Sequence, residues 1–81
     1  MDREKITEKL NEVCRDVFDN EDIAINDATT ADDIDDWDSL EHISLVNAVE
    51  RAFRMKFKMG EVNRMKNVGE MVDIILQRAG R

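Results

Sequence analysis

Asp38-Ser39-Leu40-Glu41-His42-Ile43-Ser44-Leu45-Val46-Asn47-Ala48-Val49-Glu50-Arg51-Ala52-Phe53 reads as one amphipathic helix that carries its own start signal. Asp38 and Glu41 have the spacing of an N-cap and its N3 partner, so the helix begins at Asp38 or Ser39. Leu40, Ile43, Val46, Val49 and Phe53 then supply an apolar stripe, with Leu45 flanking it. The pattern fades near Arg54 to Lys56, and Phe57 reads as a core anchor beyond the helix.

Further helices lie on both sides. Towards the N-terminus, Ile6, Leu10, Val13, Val17 and Phe18 recur at helical spacing and predict a helix from Asp2 to Phe18, with Asp2 as cap and Glu4 in the first turn. Between the two helices, Asp19 to Asp38 is rich in Asp, Asn, Thr and Ala, which favour turns and local side-chain bonds. A connection this long is functional or disordered in most small domains. Ile23, Ile25, Ile34 and Trp37 are spaced through it as apolar anchors and predict that it is ordered. Towards the C-terminus, Gly60 to Arg64 allows one short helical turn. Asn67 with Glu70 repeats the cap-and-N3 spacing and starts a last helix, whose buried face is Met71, Val72, Ile75, Leu76 and Ala79. Gly80 stands where a C-terminal cap belongs. The expected fold is all-α: a small four-helix bundle of three main helices and one short one, in a single domain over residues 1–81, with a long loop between the first and second helices.

Composition narrows the function. At 81 residues the chain is one small domain, too small for a two-domain enzyme. With 19 acids against 12 bases its formal net charge is −7, the wrong sign for a nucleic-acid binder. The charge is uneven: residues 1–41 are strongly acidic, whereas residues 42–81 hold more bases than acids. Such asymmetry marks either a recognition surface or two solvated faces that attract one another. No apolar run approaches the roughly 20 residues needed to span a bilayer, and the charged N-terminus is unlike a secretory signal. The expectation is a cytoplasmic monomer without membrane insertion.

Chemistry from the residues alone is sparse. One cysteine and one histidine exclude a disulfide within the chain and a Cys-based zinc cluster. The acidic run Asp32 to Asp38 does not fit a calcium loop, because a start at Asp33 puts Trp37 at a ligand position and Asp38 where glycine belongs. Ser39 and His42 are neighbours on one helix, yet no oxyanion hole or third member accompanies them. Without more, Ser39 is a helix N-terminal residue, His42 a surface residue and Cys14 a buried structural thiol. The five methionines read as core filling.

Trp37-Asp38-Ser39-Leu40-Glu41-His42-Ile43 resembles the attachment motif of the acyl carrier proteins, in which an Asp-Ser-Leu triplet opens the second helix. The resemblance extends over nearly the whole chain. Residues 40–53 resemble that family's second helix in apolar spacing, Phe53, Phe57, Val68 and Ile75 fall at its core positions, and the order of helices and loop is the same. The resemblance implies a carrier, not an enzyme, with no catalytic residue and no metal site. Ser39 would hold a 4′-phosphopantetheine arm derived from coenzyme A, placed there by a phosphopantetheinyl transferase. Acyl-loading and acyl-processing enzymes of fatty acid, polyketide or related lipid biosynthesis would be its other partners. Asp36, Trp37, Asp38, Leu40 and Glu41 fall at or beside positions that contact partners in such proteins.

The chain also departs from the family pattern. Asp35, Asp36 and Trp37 stand where many members have a glycine shortly before the serine. Ser44, Arg51 and Ala52 replace acids of the second helix, and Arg54, Lys56 and Lys58 follow it. Recognition by charge makes these changes in partner choice. The Trp-Asp-Ser-Leu form resembles specialised, stand-alone carriers. Two rival readings follow from the residues: an unmodified acidic helical module that docks a basic partner through residues 32–41, and a small hydrolase using Ser39 and His42.

Overall fold

Three helices begin on a side chain that accepts from the amide three residues on, and these caps set the frame of the computed structural model, which describes residues 2–34 and 37–79, the side chain of residue 63 excepted. Asp2 accepts from Lys5 N–H and starts α1, Arg3–Val17. Asp38 accepts from Glu41 N–H at 2.8 Å and starts α2, Ser39–Phe53. The short α3, Met59–Arg64, follows the α2 cap after four irregular residues, and Asn67 caps α4, Val68–Arg78, by accepting from Glu70 N–H. One 3-10 turn, Ala31–Asp33, interrupts the long loop. Among the described residues there is no strand. The all-α expectation holds, as do the expected starts of these three helices.

The core is built by α1, α2 and α4. Ile6, Leu10 and Cys14 of α1 meet Leu45, Val49 and Phe53 of α2 and Val68, Met71, Val72 and Ile75 of α4, and Ile23, Ile25 and Trp37 of the loop close one side. Each large apolar side chain wholly buried here contributes about 1.5–3 kcal/mol. Cys14 is 1% exposed, and burial pushes its thiol up to about 12.

Two expected faces are rotated. In α2 the buried residues are Leu45, Val46, Val49 and Phe53, whereas Leu40 and Ile43 are exposed at 71% and 56%. Extended backwards by one turn, this stripe passes through His42, because 42, 45, 46, 49 and 53 keep helical spacing. Leu45 is therefore central and not flanking, and half-buried His42 is not the surface residue expected. In α4, Leu76 is 41% exposed while Val68 and Gly69 are buried. Beyond α2, Met55 takes the core position and Phe57 is half-buried beside it. Ala79 is the C-cap of α4; the cap expected at Gly80 lies outside the described residues.

The first part of the loop is held by hydrogen bonds to its neighbours. Asn11 on α1 accepts from Ile25 N–H at 2.8 Å, and Arg15 donates to the Ile23 carbonyl at 2.7 Å. Farther on, the carbonyls of Thr29 and Asp27 accept from Val68 N–H and Gly69 N–H at 2.8 and 3.0 Å. Two otherwise unpaired first-turn amides of α4 are thereby satisfied by loop backbone. Only a glycine admits this approach, since a β-carbon at 69 would stand 2.9 Å from the Asp27 carbonyl oxygen.

Gly69→Ala is expected to cost about 1–3 kcal/mol by urea unfolding despite the better helix propensity of alanine. Gly60→Ala, with open space around its β-carbon, is expected to be neutral or to stabilise by up to about 1 kcal/mol. Cys14 gives a pH test. The unfolded thiol ionises near its ordinary 9.0 and the folded one only near 12, so the folded state holds its proton longer and stability falls as pH rises between the two. Urea midpoints compared at about pH 8 and about pH 10.5 are expected to drop more for the wild type than for Cys14→Ala.

Candidate functional site

The loop delivers the chain to α2 through Trp37, which is 9% exposed and packs against Phe18 at 6.0 Å between ring centroids. Its indole N–H donates to His42 Nδ1 at 3.1 Å, and the two rings are stacked at 5.9 Å. His42 Nε2 lies 3.0 Å from the Val62 carbonyl oxygen on α3. An indole N–H only donates, so Nδ1 accepts and Nε2 carries the ring proton, which it donates to Val62. One imidazole thus joins the loop, α2 and α3. From the other side, Arg78 on α4 holds α3 by pairing with Glu61 and donating to the Lys56 carbonyl. Arg78, together with the bond from Lys58 N–H, holds the Glu61 carboxyl below its ordinary range.

An open cleft of about 530 Å³ lies between α2 and α3, lined by Trp37, Ser39, His42, Ile43, Val62 and Met65 among others. Ser39 stands at its edge as the first residue of α2, exposed, while Asp38 before it fills the capping role. The Ser39 hydroxyl is therefore not committed to holding the helix. Amides of the first helical turn point towards this end of a 15-residue helix, which favours negative charge there; the neighbouring Asp38 carboxylate works against it.

Asp38 and Ser39 line the cleft, and the next two residues of α2 stand outside its lining, Leu40 exposed and Glu41 half-exposed. Trp37, expected among partner-facing residues, is instead buried, because its ring fills the space between Phe18 and His42. Asp36 lies outside the described residues. Among the described residues there is no group of three or more His, Cys, Asp and Glu side chains fit for a metal, and no helix long and apolar enough to cross a membrane. Both His42 nitrogens are engaged away from Ser39, so the histidine does not serve as its general base. The Trp37–His42–Val62 bridge was missed from the sequence; the spacing of His42 from Leu45, Val49 and Phe53 was the signal for it.

No family model matches the chain, and no curated protein does. Among solved structures, the chain is similar to the solution NMR structure of a holo acyl carrier protein from Geobacter metallireducens. The TM-score is 0.85 at 37% sequence identity, covering 90% of this chain and 84% of that one.

Trp37→Phe keeps an aromatic ring but removes the donor to His42. We expect a loss of about 1–2 kcal/mol in urea unfolding, with imidazole nitrogen shifts moving away from a pure Nε2–H tautomer. An unchanged tautomer would remove the bridge from the account.

Proposed function

We propose, because the chain belongs to the acyl carrier protein family, that Ser39 is the attachment point of a 4′-phosphopantetheine arm derived from coenzyme A. As a member of that family the chain is a non-enzymatic carrier. The observation that carries the assignment is the position of Ser39: exposed, first in α2, at the edge of the cleft and relieved of capping by Asp38. A phosphopantetheinyl transferase reaches such a hydroxyl without unfolding the helix. The residues fit the group, since a phosphodiester at Ser39 lies at the helix end that favours an anion. When bound, the arm supplies a terminal thiol that holds an acyl group as a thioester.

The chain's own residues orient and present. Asp38 fixes the first turn of α2, which fixes the direction of the Ser39 side chain. His42 holds α3 against α2 and so keeps the cleft's second wall in place. Leu40, exposed beside Ser39, and the acids Asp38 and Glu41 offer an apolar contact ringed by negative charge to acyl-loading and acyl-processing enzymes. We assign the chain, as one carrier domain over residues 1–81, to a specialised stand-alone role in fatty acid, polyketide or related lipid biosynthesis. The Trp37-Asp38-Ser39-Leu40 form and the bases late in α2 support that assignment.

Intact mass after incubation with coenzyme A, magnesium and a broad-specificity phosphopantetheinyl transferase tests the reading. The wild type and His42→Ala are expected to gain one arm, and Ser39→Ala none. Ser39→Ala is expected to change stability by no more than about 0.5 kcal/mol, because the capping side chain is Asp38. A wild type that gains nothing would leave the unmodified interaction module as the better account.

A further inference from the structure

The C-terminal end of α2 carries the opposite charge to its N-terminal end. Arg51, Arg54 and Lys56 are exposed there around an open cleft of about 660 Å³ that also takes in Asn47, Glu50 and Met55. Glu50 is the one acid of this cleft, and it is turned to the fold: its side chain is 14% exposed and Oε2 accepts from Phe57 N–H at 2.9 Å. Lys56 Nζ stands 3.9 Å from Glu50 Oε1 but is itself 87% exposed. Among the described residues no acid pairs with Arg51 or Arg54.

Arg54 adds an independent observation. It is the C-cap of α2 in the left-handed region, with φ 53 and ψ 50, where a glycine sits without strain and a residue with a β-carbon does not. The helix dipole accounts for cations in the last turn, but not for Lys56 beyond it, nor for arginine over glycine at a strained cap. The net charge of −7 argues against nucleic acid, and the acidic end of the same helix argues against an anionic membrane.

We infer that this end of α2 docks an acidic patch on a partner protein. The acidic end around Ser39 calls for a basic patch on whatever acts there. Ser39 and Arg54 are about 22 Å apart at the helical rise of 1.5 Å per residue, a span that one partner surface covers. That both patches belong to one enzyme acting at Ser39 rests on the carrier reading; the basic surface itself does not. A partner basic along its whole contact would gain at Asp38 and Glu41 and lose at Arg51 and Arg54, so the two-signed helix selects against it.

The test is an NMR titration of the isotope-labelled chain at low salt with a short peptide alternating Glu and Ala, then one alternating Lys and Ala, then phosphatidylglycerol vesicles. The Glu peptide is expected to shift amides within residues 47–58, and to bind roughly tenfold more weakly to Arg51→Glu/Lys56→Glu. Arg54→Gly, which relieves the strained cap and so keeps the fold, is expected to weaken it as well. The Lys peptide is expected to shift residues 38–41 equally in all variants. Absence of shifts in 47–58 with the Glu peptide, or equal binding to the variants, overturns the inference. Vesicles that displace the Glu peptide from this surface overturn the protein partner in favour of a membrane. Arm loading of the wild type, measured separately, keeps failure of the carrier reading distinct from failure of this one.

Discussion

His42 sits where three parts of the chain have to agree. Its ring accepts a hydrogen bond from the loop through Trp37, donates one to α3 through Val62, and stands on α2 one turn before the apolar part of the buried stripe. Partial burial of an imidazole costs least when both nitrogens are partnered, and here each has one partner of the right kind. The cleft beside Ser39 depends on this arrangement. With α3 a helix of six residues, too short to be stable by itself, its position comes from what holds it: His42 on one side, Arg78 on the other.

The long loop is held by a different logic. Asn20, Asn26, Thr29 and Asp33 turn their side chains to the loop's own backbone, and Ile23 and Ile25 are buried in the core. Asn26 accepts from Ala28 N–H, Thr29 accepts from Asn26 N–H, and Asp33 accepts from Thr30 N–H, so the turns close on themselves. Asn11, Arg15 and the first amides of α4 then fix the closed turns to two helices. Arg3 reinforces the junction by reaching Asp27, Asp73 and the Gly69 carbonyl. The consequence is that the loop up to Ile34 is fixed to α1 and α4, while Trp37 packs on Phe18 and His42 just ahead of the Asp38 cap.

Helix starts were legible in the sequence because a cap is a local device: Asp2, Asp38 and Asn67 each bond an amide three residues away, as the spacing implied. As the first residue of α2, Ser39 was legible for the same reason, whereas its reading as an attachment point came from the resemblance of Asp38-Ser39-Leu40 to a family motif. The facing of α2 was not, because the stripe was assembled from apolar residues alone. The true stripe includes a histidine, and its apolar neighbours Leu40 and Ile43 point outwards. Phe57 was expected as the core anchor beyond α2, yet Met55 is the more deeply buried, because the left-handed cap at Arg54 changes the chain's direction and no periodicity carries across such a turn. Trp37 was legible as a core anchor but not as an indole donor, since its acceptor is fixed by tertiary packing.

Cys14 has a bearing on the proposed carrier chemistry. Thioesters exchange readily with any thiolate that reaches them, so a carrier with a second reactive sulfur would let cargo migrate to its own side chain, beyond the reach of its enzymes. In this chain that sulfur is sealed in the core by Leu10, Phe18 and their neighbours and stays protonated far above neutral pH. Were Ser39 to carry the proposed arm, its acyl group would meet no competing cysteine thiolate in this sequence, and the arm's thiol would be chemically alone.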